Sequence, residues 1–369
     1  MYPIQRLAKF AVAGLVALTL SAGMLPSAAQ AQSSPALGRD FKEILARAAR
    51  EGTIDIAWSA SVLGEADTVR QYMDQFNKLY GLHLTYRFSA GPSMAQQGNQ
   101  IFTEFSARQP ASSDLLFSSA QSLMPLLPHD MFYVVPWTAI VQNEKLPAGI
   151  TEAGGRIIRV GTSIPVVVYN TKLMPHPPAT VQALLSPQWR GKLATPPNAS
   201  GFDVLSANDF WGQQRAEDYV RSLTGLGAGL VRCGDDDRIA SGEYAAFIFD
   251  CSSQGARMLH EKGAPVDYFI AKDAAQIRYY YMAIPKNAVH PNAAALFVLY
   301  LLTARGQDLF YKSMRMDLDM LPGSKTAPFI DQYRHGGVKF TTITTRWWEI
   351  HPEALEGQKR EVEILSTSK

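Results

Sequence analysis

Ten serines fall where a predicted strand gives way to a loop or where a helix begins: Ser59, Ser61, Ser89, Ser93, Ser118, Ser119, Ser163, Ser200, Ser252 and Ser253. A hydroxyl both donates and accepts hydrogen bonds, so such a set suits an oxygen-rich small molecule. The segment Pro197-Asn198-Ala199-Ser200-Gly201 runs into a predicted helix, Val204 to Trp211. Backbone N–H groups at such a junction, with Asn198, Ser200 and Gly201, favour a carboxylate, a phosphonate or a similar anion. The same residues also read as an ordinary helix cap. Asp250 closes a predicted strand, and Tyr280 sits in the run Tyr279-Tyr280-Tyr281. Strand alternation lets at most two of these tyrosines reach one surface. Arg87, Arg257 and Arg278 are candidates for a bidentate clamp on a carboxylate.

Catalytic patterns are absent. The sequence has no His-Glu-x-x-His, no Gly-x-Ser-x-Gly, and seven scattered histidines. We therefore expect no catalytic residues, no metal ligands and no cofactor. Asp235-Asp236-Asp237 reads as a solvated turn, and Glu65 with Asp67 as the acidic start of a helix. His290-Pro291-Asn292 reads as the start of a long apolar helix.

The elements that position these residues alternate. Strands at Thr53–Trp58, Leu82–Phe88 and Asp114–Phe117 are separated by helices, one of them carrying Val69, Tyr72, Met73, Phe76 and Leu79 at helical spacing. This pattern predicts a parallel or mostly parallel sheet with helices on both faces. Ligands bind at the carboxyl ends of strands in such sheets, which is where the serines fall. The middle region adds strands at Ile157–Thr162, Val166–Tyr169, Lys192–Thr195, Leu230–Arg232 and Tyr244–Phe249. A further strand, Ile277–Ile284, and an apolar helix, Asn292–Leu302, follow.

Residues 1–31 have the form of a cleaved secretory signal. Arg6 and Lys9 precede the apolar run Phe10–Leu25, and Ala29-Gln30-Ala31 supplies small residues for cleavage. Without Arg6 and Lys9, the remaining 33 basic residues equal the 33 acidic ones. That balance argues against nucleic acid or an anionic membrane surface as a partner. Cys233 and Cys251 both lie in the exported part. They either pair in an oxidising compartment or remain two buried thiols.

Four segments occur in order: GTSIPVVVYNTKLM (Gly161–Met174), SPQWRGKLATPPNASG (Ser186–Gly201), SGEYAAFIFD (Ser241–Asp250) and IPKNAVHPNAAALFVLYLLTARGQDLF (Ile284–Phe310). Together they resemble the family 1 extracellular solute-binding proteins of ABC importers, in the ferric-ion-type branch. The resemblance implies an α/β, two-lobed periplasmic binding protein-like fold of type II, with a ligand cleft between hinged lobes. It implies a small-molecule ligand, and as partners an inner-membrane ABC permease and its ATPase. We expect a periplasmic monomer with lobe 1 at 32–136 and 279–321, and lobe 2 at 137–278 and 322–369. Ferric members hold iron with adjacent tyrosines after the strand that here ends at Asp250. This chain has Cys251-Ser252-Ser253 there, which points away from iron and towards an organic anion. A ferric-ion or polyamine binder of the same fold, a sensing subunit of a membrane receptor, and a periplasmic enzyme are the alternative readings.

Overall fold

Asp40 accepts a hydrogen bond from Glu43 N and starts the first helix, and Gly52, at φ +68°, ends it. The computed structural model describes residues 36–59, 62–64, 66–141 and 145–367. The predicted signal segment, Ser61 and Glu65 lie outside the described residues. The first part of the chain contains α1 (Phe41–Glu51), β1 (Thr53–Trp58), α2 (Ala66–Tyr80), β2 (Thr85–Ala90), α3 (Met94–Ser106), β3 (Leu116–Ser119) and α4 (Ala120–Leu123). The middle part contains α5 (Trp137–Ile140), β4 (Thr151–Glu152), β5 (Ile157–Ser163), β6 (Val166–Asn170), β7 (Leu193–Thr195), α6 (Gln213–Gly225), β8 (Gly229–Leu230), α7 (Asp237–Ala240), β9 (Ala246–Asp250), α8 (Gln254–Glu261) and β10 (Val266–Phe269). The last part contains β11 (Gln276–Ala283), α9 (Pro291–Leu301), α10 (Ala304–Met314), α11 (Thr326–His335), β12 (Thr341–Ile343), α12 (Thr345–Ile350) and α13 (Pro352–Thr367).

The strands fall into two groups: the separate β1–β2 pair together with the sheet around β11, and a second five-stranded sheet. In the first, β1 pairs with β2 in parallel, and Asp114 N donates to Asp55 O at 2.8 Å, tying the approach to β3 against β1. β11 runs antiparallel between β3 and β5, and its first residues pair with β12. The second sheet has the order β10-β6-β9-β7-β8. The expected mostly parallel sheet is therefore mixed. β11 returns from the second sheet after a long excursion and enters the first one running back along β3 and β5.

Helix α9 is buried along its whole length. Phe297 brings Trp58, Tyr72 and Phe76 within about 6 Å of its ring centre. Full burial of each such side chain contributes about 1.5–3 kcal/mol. A second cluster under the second sheet includes Phe202, Tyr219, Phe249 and Leu365. Gly161 lets β5 approach α10, since an added Cβ would sit 2.3 Å from the Phe310 ring.

The predicted helix Val204–Trp211 is absent, and the segment forms successive turns. Buried Phe202, Val204, Leu205 and Ala207 mimic a helical period. Asp203 competes for the backbone instead, its Oδ1 accepting from Gly201 N and Val204 N at 3.0 Å.

Candidate ligand-binding site

The chain passes between the sheets where β5 ends at Ser163 and β6 begins at Val166. Several sequence-predicted residues meet at this crossing. Ser163 Oγ donates to the Cys251 carbonyl at 2.8 Å. The Ser200 hydroxyl lies 3.6 Å from Cys251 Sγ. That sulfur is bonded to Cys233, so it only accepts. Tyr280 pairs with Gly161 in the β5–β11 ladder, two residues from Ser163, and its ring stacks on Phe117 at 5.0 Å. In the β3–β11 ladder Tyr280 faces Ser119. Burial raises the Tyr280 phenol above its ordinary value, so it is a neutral hydroxyl at physiological pH. Ser119, Tyr280, Ser163, Cys251 and Ser200 thus lie in one hydroxyl-rich region that runs from β3 to the loop after β7, with Ser163, Cys251 and Ser200 in direct contact.

The loop that carries Ser200 is internally braced. Ser200 N donates to Asn198 Oδ1 at 3.3 Å and Gly201 N to Asp203 Oδ1 at 3.0 Å. The backbone N–H groups expected to hold an anion are therefore spent within the loop, and no helix follows to add its dipole. What the loop presents is the Ser200 hydroxyl. Gln276 Nε2 donates to Gly201 O at 2.7 Å. Arg278 reaches both Asp203 oxygens, at 2.5 and 3.1 Å, with Asp203 fully buried. Gly201 adopts φ +94° and lies over Phe249, where an added Cβ would be 2.4 Å from the Phe249 Cβ and Cγ.

Other predicted positions lie elsewhere. Asp250 is buried and accepts from Gly234 N at 2.8 Å, so it braces the disulfide-bonded loop. Burial raises its pKa, as it does that of the neighbouring Asp236. Asp236 packs against Gly255 at the start of α8; it belongs to the interior and not to a solvated turn. Ser252 Oγ accepts from Gln254 N at 3.3 Å, and Ser253 is buried at the N-terminus of α8. Ser59 follows β1, and its carbonyl accepts from Val62 N. Ser89 is exposed on β2. Ser118 is buried, with no hydrogen-bond partner for its hydroxyl among the described residues. Ser93 caps α3 in a capping box with Gln96. Of the three candidate arginines, Arg87 pairs with Asp55 and Arg278 with Asp203. Arg257 donates to Arg315 O and Tyr311 Oη, both at 2.8 Å.

Asp55, Asp114 and His290 also converge in the interior. Their polar atoms are engaged with protein groups. Asp114 accepts from Asp55 N, Val289 N, His290 N and His290 Nδ1 at 2.7–2.8 Å, and Arg87 holds Asp55. This network ties β1 to the start of α9. Surface cavities of about 450 and 650 Å³ are lined around Tyr80 and Leu299, and around Trp211 and Arg215; neither involves the serines. Sequence reasoning missed Gln121, Asp203, Gln276 and Gln358, since polar side chains that brace a loop from distant segments leave no local signal.

Two sheets exchanging the chain beside a hydroxyl-lined contact region define a two-lobed binding protein of the periplasmic type. The model for the family described as bacterial extracellular solute-binding protein matches residues 57–313, and the chain belongs to that family. Among solved structures, a substrate-binding protein of an ABC transporter from Agrobacterium tumefaciens is similar at TM-score 0.68 and 15% identity, covering 85% of this chain and 94% of its own. Iron-bound HitA from Pseudomonas aeruginosa gives TM-score 0.65 and 19% identity, with 85% and 99% covered. AgtB from A. tumefaciens R10, in complex with agropinic acid, gives TM-score 0.65 and 14% identity, with 86% and 99% covered. At these identities the likeness shows the fold. No match was found among curated protein sequences.

Proposed function

We propose that this protein captures a small organic anion or a similarly oxygen-rich solute at the crossing between its sheets and delivers it to an ABC permease. The observation that carries this reading is the gathering of Ser119, Tyr280, Ser163 and Ser200 beside Cys251, through the β3–β11–β5 register and the contacts of Ser163 and Ser200 with Cys251. The four hydroxyls are neutral and able both to donate and to accept, which suits carboxylate and hydroxyl oxygens. Ferric iron prefers anionic oxygen ligands. Here Cys251 is held in a disulfide, Ser252 is a neutral hydroxyl, and Tyr280 is kept protonated by burial. A polyamine would need carboxylates facing the solute, whereas Asp250 and Asp203 are spent on internal donors. AgtB, with its agropinic acid, is an example of the fold holding an organic acid. Function by binding and release, in the periplasm and as a monomer, accompanies this reading.

The lobes follow sheet membership in this proposal. One is built on β3, β5 and β11 with the β1–β2 pair tied on through Asp114 N and Asp55 O, and the other on β6 to β10. This assigns β4, β5 and β12 to the first lobe. A thermal-shift screen of the mature protein against carboxylates, phosphonates, polyamines and ferric citrate tests the reading. A solute that binds only the folded state raises the melting temperature with concentration. Stabilisation by a carboxylate or phosphonate is expected; stabilisation by ferric salts or polyamines alone contradicts it.

A further inference from the structure

The C-terminal helix α13 lies beyond the residues matched by the family model, yet it backs the loop that carries Ser200. Glu353 Oε1 accepts from Asn208 N at 3.3 Å. Gly357 admits Ser206 so closely that an added Cβ would sit 2.4 Å from the serine Cβ. Glu361 Oε1 accepts from Ser206 Oγ at 2.7 Å. These positions recur every four residues and so share one helix face. Beside them, Gln358 Nε2 donates to the Asn198 carbonyl at 2.9 Å.

The same amide has a second partner. Gln358 Oε1 accepts from Gln121 Nε2, and Gln121 lies in α4, the short helix that Ser119 caps. A primary amide carries its donor and acceptor on diverging atoms, so one side chain can bridge two segments. Here the segments are the start of α4, which follows β3 of the first sheet, and the loop that follows β7 of the second. Both carry hydroxyls of the proposed site. The bracing within the Ser200 loop fixes its internal shape, and Gln276 and Arg278 tie its Gly201–Asp203 end to β11, but its Asn198 end has no such tie to the first sheet. The Gln121–Gln358–Asn198 bridge ties that end to α4.

We propose that Gln358 is a positioning residue that holds the Ser200 loop against the Ser119 end of α4, making α13 a strap that sets the width of the solute site. The proposal takes its site from the reading above but depends on no particular solute, and its test uses none. Amide hydrogen exchange of the full mature chain reads it directly. In Gln358→Ala, amides of residues 119–124 and 198–203 should exchange about fivefold faster, the factor matching roughly 1 kcal/mol of lost hydrogen bonding. Amides in the β5–β11 ladder should keep their wild-type rates. Gln121→Ala cuts one arm only, so it should speed residues 119–124 and leave 198–203 protected. Unchanged exchange at both segments in Gln358→Ala overturns the proposal. Equal acceleration throughout β5 and β11 overturns it too, because Gln358 would then serve global stability alone. Failure of the solute screen with these exchange changes present would leave the strap intact and reject only the solute assignment.

Discussion

Replacing Arg278 by Ala should unfold the Ser200 loop's support from one side. Arg278 is the ion-pair partner of Asp203, whose side chain is fully buried, and the guanidinium contacts both carboxylate oxygens. Removing one member of a buried pair leaves the other charge uncompensated, at a cost of about 3–5 kcal/mol. Asp203 keeps its backbone donors at Gly201 and Val204, which places the expected loss near the lower end, roughly 3 kcal/mol. Arg278→Lys should recover only part of this, since an ammonium cannot make the two-pronged contact. Asp203→Asn combined with Arg278→Met removes both charges and should be less destabilised than Arg278→Ala. Urea unfolding followed by tryptophan fluorescence measures each difference from its midpoint and slope. A loss below about 1 kcal/mol for Arg278→Ala would refute the reasoning, because it would put the pair in the range of solvent-exposed ion pairs.

Further outcomes follow from other sites. Gly201→Ala meets Phe249 and a positive φ together, so it should destabilise by roughly 1–3 kcal/mol in the same unfolding assay. Burial raises the Glu361 pKa to about 8; the folded state then holds a proton that the unfolded state has lost, so stability falls as pH rises from the ordinary carboxyl range towards 8. Glu361→Gln should flatten that decline, measured as melting temperature against pH. For His290, burial lowers the pKa, but the Asp114 hydrogen bond and the charges of Asp114, Asp55 and Glu51 outweigh it and raise the net value. Its contribution is therefore complete below the ordinary histidine pKa and is lost as pH rises through the folded value, a loss that His290→Gln should abolish. Replacing Cys233 and Cys251 by Ser opens a link across a sequence separation of 18 and should cost about 3 kcal/mol, read as a lower urea midpoint.

Much of the fold was legible because its period is local. The helix through Val69, Tyr72, Met73 and Phe76, and the strands around them, follow from spacing alone. The four ordered segments carried the family. Val204–Trp211 was misread because its apolar residues repeat like a helix, while Asp203 and Ser206 tie the backbone to turns and to α13. The direction of β11 was not legible either, since antiparallel entry depends on where a chain returns and not on its own residues. At the site, hydroxyl-bearing positions stood out by type. Which of them meet was decided by partners far away in sequence, as Ser163 and Cys251 are. Asp250 looked ligand-facing at the end of its strand, but the disulfide brings Gly234 over it. The Ser200 loop resembled an anion nest, and only the structure shows its N–H groups spent on Asn198 and Asp203.

The most direct test of the central claim is isothermal titration of the solute that stabilises best in the thermal screen against wild type, Ser163→Ala, Ser200→Ala and Tyr280→Phe. If the solute sits at the crossing between the sheets, each change should weaken binding by about tenfold, corresponding to roughly 1.4 kcal/mol, while Ser89→Ala should bind like wild type. Unchanged affinity in all three variants, with their folding intact, would contradict the account and place the solute elsewhere on the protein.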